Sequence, residues 1–333
     1  MAHIVNLKKQ SLRERKWHSI KRSTFVQIIR YRSSHGGAAV GLLHDGQVIG
    51  DAITRVPTTH PVERDNASPY DSELRNLLRM RASELRAQIE NIVRSGEAGN
   101  PSANILAPID GETEVWAAGV TYKQSEEARK EESGTPDIYA KVYTAQRPEL
   151  FFKATPRRVA DPDAPIVVRA DSTWDVPEPE LVLVINAYGE IIGYTIGNDV
   201  SSRSIEGENP LYLPQAKVYA GCCALGPGIT PAWEVSDPYN LTIRLTIERN
   251  KQVYWEGETS TRELKRRFEE LVSYLFLEND FPDGVFLCTG TALVPEKQFT
   301  LQPGDVVQIR VDQLGSLRNP VVRGKVGKAS SNP

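Results

Sequence analysis

The stretch EPELVLVINAYGEIIGYTIGND, residues 178–199, predicts a β-hairpin that decides the fold at the centre of the chain. Its first half contains Leu181–Ile185, a run of apolar and branched residues typical of a buried strand, and Ile191–Ile196 follows as the returning strand. Residues 186–189, with the sequence Asn-Ala-Tyr-Gly, favour a turn between them.

The predicted hairpin would bring three carboxylates together. Glu178 and Glu180 are two positions apart, so both side chains point to the same face of an extended segment. Folding about the turn returns Asp199 to the level of Glu178. Carboxylates this close repel one another, and a hard divalent cation such as Mg2+ compensates that repulsion. The alternative is that the Glu-Pro-Glu sequence decorates a solvated strand edge, where proline is common.

The composition is that of an ordinary globular protein of 333 residues, with 40% hydrophobic and 25% charged residues. A net charge of -3 gives no general attraction to nucleic acid or to an anionic membrane. We find no apolar run as long as a membrane span and no signal-peptide core, so we expect a cytoplasmic protein. The cysteines, Cys222, Cys223 and Cys288, are predicted to be small core residues.

Histidine is confined to the start of the chain. The five histidines are His3, His18, His35, His44 and His60. Proton transfer at the carboxylate cluster would therefore use Lys, Glu, Asp, Tyr or Thr, unless the N-terminal part reaches the site.

Residues 1–105 are predicted to form a small N-terminal β/α domain. Alternating apolar residues between Thr24 and Ile53 predict a meander of strands, and residues 71–94 predict a helix. The buried face of that helix would contain Leu74, Leu77, Leu78, Leu85, Ile89 and Ile92. Residues 96–102 are the predicted linker. The basic segment 1–22 is interpreted as a solvated terminus, because no stacking aromatic pattern of a nucleic-acid arm accompanies it.

Residues 106–333 are predicted to form a second, β-rich domain. Strands are predicted at 114–118, 149–153, 166–169, 180–186, 190–196, 241–247, 285–289 and 305–311. One helix is predicted from a capping box of Ser260 and Glu263, with a buried stripe that runs from Leu264 to Phe276. Strands and helices do not alternate, so we predict an α+β fold with a mixed β-roll or barrel-like domain. Sequence motifs for dinucleotides, P-loops, serine hydrolases and zinc proteases are missing.

Residues 115–325 resemble the fumarylacetoacetate hydrolase superfamily. The motifs that carry the resemblance are GVTY (119–122), FFK (151–153), EPE (178–180), GNDVSSR (197–203), GCCALGP (221–227), TGT (289–291) and PGD (303–305). The resemblance implies a fumarylacetoacetate hydrolase-like catalytic domain over 106–333, and a homo-oligomer. It also implies a divalent metal held by Glu178, Glu180 and Asp199, namely Mg2+ with Mn2+ or Ca2+ as substitutes.

Three segments look like the branch of this superfamily that dehydrates 2-keto-3-deoxy sugar acids. They are GVTYKQSEEAR (119–129), RPELFFK (147–153) and EGENPLYLPQAKVYAG (206–221). The hydrolase and decarboxylase branches carry a histidine shortly after the first tyrosine, where this chain has Gln124 and Ser125. One departure is Ser204, which stands where the superfamily usually has an aspartate.

The remaining site residues are predicted partly from the resemblance, which Lys217 and Thr291 match, and partly from their position and charge. Lys217 is the predicted base, and Glu149 is its predicted acid–base partner. The predicted substrate-binding residues are Thr291, Lys153, Arg203 and Glu126. For Lys153 the alternative is neutralisation of the metal carboxylates, while the others could be ordinary strand, turn or surface residues.

The implied reaction is the dehydration of 2-keto-3-deoxy-D-arabinonate to 2,5-dioxopentanoate in pentose oxidation. The cation would stabilise the enolate formed when a C3 proton leaves, and the C4 hydroxyl would then depart. Two alternatives stay open. One is a C–C bond hydrolase of acylpyruvates or 2,4-diketo sugar acids, and the other is a non-catalytic binding member of the superfamily.

Overall fold

The computed structural model of the protein describes residues 25–33, 37–44, 47–49, 73–95, 104–132 and 141–325. The basic segment 1–22 and the predicted linker 96–102 lie outside these residues. No helix in these ranges combines the length and the apolar character that crossing a membrane requires.

Strands dominate the described parts of the chain. They are β1 (Gln27–Arg32), β2 (Ala38–His44), β3 (Gln47–Ile49), β4 (Asn104–Leu106), β5 (Glu114–Gly119), β6 (Glu149–Ala154), β7 (Val159–Ala160), β8 (Ile166–Val168), β9 (Asp175–Val176), β10 (Pro179–Ile185), β11 (Ile191–Asp199), β12 (Ser201–Ser202), β13 (Cys223–Pro231), β14 (Thr242–Arg249), β15 (Gln252–Ser260), β16 (Val285–Cys288), β17 (Val306–Val311) and β18 (Gly315–Arg323). The helices are α1 (Glu73–Leu78), α2 (Ala82–Ser95), α3 (Lys123–Glu132), α4 (Arg203–Glu208), α5 (Leu213–Lys217) and α6 (Phe268–Leu275).

The strands form two main sheets. The larger one has the order β3-β2-β1-β13-β11-β10-β16-β5-β6, with β4 on β1 and β7 on β13. The smaller one has the order β15-β14-β17-β18-β8. The larger sheet is mixed, because β10 pairs antiparallel with β11 while β16 pairs parallel with β5. The predicted α+β class with a mixed β-rich domain is confirmed.

The central hairpin forms as predicted. Strands β10 and β11 pair in the register Pro179↔Asn198, and the turn lies between Ile185 and Ile191. Strand β10 has an uninterrupted apolar run because both of its faces are covered. Leu181, Leu183 and Ile185 enter the core shared with α6 and the smaller sheet. Their neighbours Val182 and Val184 enter the core shared with α1 and α2.

The N-terminal strands are hydrogen-bonded into the larger sheet. The predicted meander is present as β1 to β3, and β1 pairs with β13 at Ile28↔Ile229. The buried leucines and isoleucines of α1 and α2 pack in one core with Val182 and Phe286. The domain division after residue 105 stays a prediction.

The prediction of one continuous helix over 71–94 is wrong, because α1 and α2 are separated at residues 79–81. The turn of the central hairpin binds the broken ends. Leu78 O accepts the Ala187 amide at 2.9 Å, and Met80 O accepts Asn186 Nδ2 at 2.8 Å. The Glu190 carboxylate accepts the Ala82 amide at 2.9 Å, in the manner of a helix N-cap. The predicted buried face is nevertheless correct, from Leu74 to Ile92.

The prediction that a helix begins at the Ser260 capping box is also wrong. Ser260 Oγ accepts the Arg262 amide at 3.2 Å, but it caps only the short 3-10 turn Thr261–Glu263, and α6 begins at Phe268. The intervening segment is held extended, since Leu264 forms a β-bridge with Tyr122. Tertiary pairing therefore overrides the local helix signal.

Replacing Asn186 by alanine should destabilise the protein by about 2–4 kcal/mol, because a buried amide with several partners would be lost. Asn186 Oδ1 accepts the amides of Tyr188 and Glu190 at 3.0 and 2.9 Å, and Nδ2 donates to Met80 O and Glu190 Oε2 at 2.8 and 2.6 Å. Urea unfolding measures the change. The exposed Asn91→Ala on α2 is the control, with an expected change within about 0.5 kcal/mol; equal midpoints for both variants would contradict the prediction.

Candidate metal centre

Three carboxylates converge at one end of the central hairpin. Glu178, Glu180 and Asp199 each offer an oxygen, and these oxygens lie within 4.8 Å of one another. All three residues are at least 96% buried. The backbone holds the cluster, because the Asp199 amide donates to Glu178 O at 2.9 Å. The predicted convergence of the three residues is therefore present in the structure.

Glu180 lies in surroundings that disfavour its charged form. Burial raises its pKa well above the usual range, and the charges of Asp199 and Glu178 raise it further. Its Oε2 accepts the Gly290 amide at 2.5 Å. Gly290 has φ +94, and a Cβ there would lie 2.0 Å from Thr121 Oγ1. Only glycine therefore fits the turn that directs this amide at Glu180.

Three cationic side chains surround the carboxylates. Lys217 Nζ lies 2.9 Å from Glu178 Oε2 and 3.1 Å from Asp199 Oδ2, and it donates to Ser201 Oγ at 2.6 Å. Arg203 Nη2 donates to Glu178 Oε1 at 2.8 Å. Lys153 Nζ lies 2.5 Å from Asp199 Oδ1.

The carboxylate cluster fits a hard divalent cation. Oxygen donors at short mutual distance and away from bulk water are the ligands that Mg2+ prefers. Asp199 Oδ1 makes no hydrogen bond of good geometry among the described residues, although Lys153 Nζ is close. A buried carboxylate oxygen in that state has coordination capacity left, and Glu178, Glu180 and Asp199 are the residues that would hold the ion.

A cavity opens directly onto this cluster. Besides the three carboxylates it is lined by Ala118, Gly119, Val120, Ser125, Glu149, Phe151, Arg203, Glu206, Leu213, Lys217, Gly290 and Thr291. The lining residues come from the ends of β5, β6, β10, β11 and β16 and from the helices α3, α4 and α5. The carboxylate cluster, the predicted base Lys217 and its predicted acid–base partner Glu149 thus line the same cavity.

Residues 114–322 match the family model for the C-terminal domain of fumarylacetoacetate (FAA) hydrolase. The chain belongs to this family. A probable 2-keto-3-deoxyxylonate dehydratase of Haloferax volcanii is 56% identical over 214 residues, which are 64% of this chain and 73% of the relative. A 2-dehydro-3-deoxy-D-arabinonate dehydratase of Saccharolobus solfataricus is 48% identical over 221 residues, 65% of this chain and 74% of the relative.

A solved structure of the family has a similar fold and a bound metal. It is a 2-keto-3-deoxy-D-arabinonate dehydratase complexed with magnesium and 2,5-dioxopentanoate. It superposes with a TM-score of 0.67 at 36% identity, over 90% of this chain and 99% of that chain. The predicted superfamily is confirmed, and the magnesium in this relative accords with the donor set found here.

Two residues predicted to bind substrate do not line the cavity. Lys153 lies behind Asp199, where Nζ donates to Lys217 O at 2.6 Å and Val200 O at 3.0 Å. Burial acts to lower the pKa of Lys153, but the Asp199 charge together with the nearby Cys222, Tyr219 and Cys223 raises the pKa overall. This placement favours the alternative role, in which Lys153 neutralises a metal carboxylate. Glu126 is also buried outside the lining, with Lys123 Nζ 2.6 Å from its carboxylate.

The other predicted site residues line the cavity. Glu149 is at the start of β6, and its carboxylate lies against Gly119. Thr291 Oγ1 accepts the Leu293 amide at 3.1 Å, so a local turn fixes its position. Arg203 begins α4 beside Glu178. Ser204 forms a hydrogen bond with Ser172 Oγ at 2.9 Å in place of the salt bridge that an aspartate would make.

Sequence reasoning missed Phe151, Glu206 and Ser201. Phe151 is two residues after Glu149 on the same strand, so a period of two could have identified it. Its ring centroid lies 5.6 Å from Lys217 Nζ. Glu206 is three positions after Arg203, which is the spacing of neighbours on one helix face. Ser201 had no distinguishing signal, because its contact with Lys217 depends on tertiary structure.

Proposed function

We propose that this protein is a Mg2+-dependent dehydratase that converts 2-keto-3-deoxy-D-arabinonate into 2,5-dioxopentanoate and water. The observation that carries the proposal is the buried cluster of Glu178, Glu180 and Asp199, which faces the same cavity as Lys217. The two similar relatives named as sugar-acid dehydratases support the same reaction. A non-catalytic role would leave this cluster of buried charges without a purpose.

The names of the two relatives are chemically compatible with one substrate. In a 2-keto-3-deoxypentonate, C2 is a ketone and C3 is a methylene, so the one stereocentre left is C4. D-xylonate and D-arabinonate have the same configuration at C4. Their 2-keto-3-deoxy derivatives are therefore the same molecule, and one pocket can serve both sugars.

Two groups of residues would carry the reaction, one that binds the metal and one that transfers protons. Mg2+ held by Glu178, Glu180 and Asp199 would polarise the 2-keto group and so acidify the C3 protons. Lys217 Nζ is the candidate group to take a C3 proton, since it already lies beside Glu178 and Asp199. Glu149 is the candidate to protonate the departing C4 hydroxyl. A later proton shift from C5 completes the aldehyde, and atoms balance with the loss of one water.

Among the described residues, no histidine lines the cavity to activate water for the hydrolase alternative. His44 is the one histidine within the described ranges, and it ends β2 without lining the cavity. C–C bond hydrolysis needs a base that directs water at a carbonyl, whereas dehydration needs a site from which hydrolytic water is excluded. The narrow cavity and its lysine favour elimination.

The decisive experiment is a product assay with purified protein, Mg2+ and 2-keto-3-deoxy-D-arabinonate. Proton NMR should show 2,5-dioxopentanoate, and EDTA should stop its formation until Mg2+ is restored. Pyruvate together with a two-carbon fragment would instead indicate C–C cleavage. An unchanged sugar acid would reject the proposed function. The role in pentose oxidation, the cytoplasmic location and the homo-oligomeric state stay predictions.

Gly119→Ala should lower kcat by roughly tenfold to a hundredfold without unfolding the protein, which tests Glu149 indirectly. A Cβ at Gly119 would lie 2.1 Å from Glu149 Oε2 and 2.6 Å from its Cδ. The end of a flexible side chain can move aside, so the carboxylate should be displaced while the backbone is kept. Steady-state kinetics measure the loss, and circular dichroism checks the fold. Gly37→Ala is the control, because Gly37 is exposed and a Cβ there would meet only Ser33 Oγ at 3.9 Å. Full activity of Gly119→Ala would argue against a catalytic Glu149.

A further inference from the structure

Ser201 is a buried serine beside the predicted base, and the proposed mechanism gives it no role. It lies on β12, two residues after Asp199, and is completely buried. Its Oγ accepts Lys217 Nζ at 2.6 Å, a shorter hydrogen bond than those from the same ammonium to Glu178 and Asp199, at 2.9 and 3.1 Å. Lys217 lines the cavity, whereas Ser201 does not. The Ser201 hydroxyl thus contacts the ammonium from outside the cavity.

The neighbours of Ser201 fix the direction of its hydroxyl group. Ser201 Oγ also lies 2.9 Å from Asp199 O, and a backbone carbonyl can only accept a hydrogen bond. The hydroxyl proton is therefore directed at Asp199 O, which leaves only lone pairs of Oγ to face Lys217. As a result, Lys217 directs an N–H at Ser201 whether it is an ammonium or a neutral amine. When Lys217 acts as the base, its lone pair cannot point at Ser201.

The contact with Ser201 differs from the contacts of Lys217 with the carboxylates. Glu178 and Asp199 belong to the cluster that would hold the cation, so a bound cation and Lys217 would share the same carboxylates. Ser201 is a neutral acceptor outside that cluster. Its hydrogen bond to Lys217 therefore does not depend on the charge that the carboxylates carry.

We propose that Ser201 is a positioning residue for Lys217. It holds one N–H of the base outside the cavity, so that the lone pair of the base faces the cavity. The inference rests on the proposed function. Ser201 has no contact with the cavity, so it should affect the rate of proton removal and not the binding of substrate. A lysine without this anchor can rotate about its terminal bonds, and its lone pair would then face the C3 proton in only a fraction of the molecules.

The experiment compares Ser201→Ala with Ser202→Ala, which makes the same change at the other residue of β12. Ser202 is also completely buried, but its Oγ donates to Asp175 Oδ1 at 2.8 Å. Two reactions are followed at saturating Mg2+, namely dehydration of the sugar acid and exchange of the methyl protons of pyruvate for deuterium in D2O. Pyruvate has the keto-acid head but no hydroxyl group to lose, so its exchange reports proton removal alone.

Ser201→Ala should lower kcat of dehydration and the rate of pyruvate exchange by the same factor, roughly tenfold to a hundredfold, because the base is less well oriented. KM and the dissociation constant of Mg2+, the latter from calorimetry, should stay within about twofold of wild type, since the lost contact acts only in the chemical step. An unchanged stoichiometry of Mg2+ binding shows that the lower rates do not come from unfolded molecules. Ser202→Ala should keep both rates close to those of wild type.

Three outcomes would overturn the inference. Unchanged rates in Ser201→Ala would mean that Lys217 needs no such anchor. A lower kcat with unchanged pyruvate exchange would place the effect of Ser201 after proton removal. Weaker Mg2+ binding in Ser201→Ala than in Ser202→Ala would mean that Ser201 acts through the metal carboxylate of Asp199.

A second variant and the wild-type protein complete the experiment. Should Ser201→Ala fail to fold, Ser201→Cys has nearly the size of serine, accepts hydrogen bonds only weakly and should show the same changes. A wild-type protein that exchanges the protons of pyruvate without dehydrating the sugar acid would reject the proposed function alone, and the exchange rates would still decide the role of Ser201. A wild-type protein that does neither would reject both.

Discussion

Glu180→Gln should reduce kcat/KM by about a thousandfold and abolish the stabilisation of the protein by Mg2+, since a metal ligand contributes several kcal/mol to charge stabilisation. The amide keeps an oxygen for the Gly290 amide, which lies 2.5 Å from Glu180 Oε2, so the turn at Gly290 should persist. It removes one negative charge from a position where burial, Asp199 and Glu178 already raise the pKa of the carboxyl. The metal-free variant should therefore be at least as stable as the metal-free wild type.

Thermal unfolding with and without MgCl2, together with the product assay, measures both effects. Wild type should melt at a higher temperature with Mg2+, because a ligand that binds only the folded state stabilises it. Glu208→Gln, which makes the same change at an exposed residue of α4, is the matched control and should keep the Mg2+ response. A Glu180→Gln protein that retains full activity after chelator treatment would mean that this cluster is not the catalytic metal site.

The stability result distinguishes a functional cluster from a structural one. A carboxylate kept for folding would lower stability when neutralised, because its ion pairs would be lost. A carboxylate kept for metal binding is crowded by its neighbours until the cation arrives. Neutralising Glu180 should therefore lower the metal-free melting temperature if the carboxylate serves folding, and leave it unchanged or raise it if the carboxylate serves metal binding.

The central hairpin could be predicted from the sequence because its signals are local. A turn sequence separates two apolar strands, and each strand has the length of a typical buried strand. The convergence of Glu178 with Asp199 follows from that register alone. Their cationic neighbours could not be placed in the same way, since Lys153 and Lys217 come from β6 and α5, which are distant in sequence.

The incorrect predictions share one physical cause. The break between α1 and α2, and the late start of α6, both depend on partners distant in sequence. Asn186 and Glu190 bind the ends of the broken helix, and Tyr122 pairs with Leu264. Helix propensity is worth at most about 1 kcal/mol per ordinary residue, so a few tertiary hydrogen bonds are enough to override it.

The placement of Lys153 has the same origin. Lys153 lies on β6, the strand that also carries Glu149 and Phe151. From the sequence, it could therefore either contact the substrate or neutralise a carboxylate. It is completely buried, and its Nζ donates to Lys217 O, so it contacts the backbone of the predicted base and does not line the cavity. A lysine that contacts substrate and one that supports another lysine have the same sequence signature.

Lys217→Met should lower both the activity and the stability of the protein. Measuring the two with and without Mg2+ separates the role of the lysine as a base from its role in neutralising Glu178 and Asp199. The thioether side chain is similar in length but has no charge and cannot take a proton. Loss of the proposed base should lower kcat by roughly a hundredfold to ten-thousandfold at saturating Mg2+. Without metal the variant should also lose about 3–5 kcal/mol of stability, because Glu178 and Asp199 lose the ammonium that lies 2.9 and 3.1 Å from their oxygens.

Added Mg2+ should restore much of that stability but none of the activity. The cation can supply positive charge to the same carboxylates, whereas it cannot accept the C3 proton. Urea unfolding at several Mg2+ concentrations and the product assay measure the two effects, with the exposed Lys297→Met as the control. Activity above a tenth of wild type would exclude Lys217 as the base. A stability loss that Mg2+ does not reduce would show that the Lys217 ammonium and the cation act on different carboxylates. That result would contradict the binding of one ion by Glu178, Glu180 and Asp199 together.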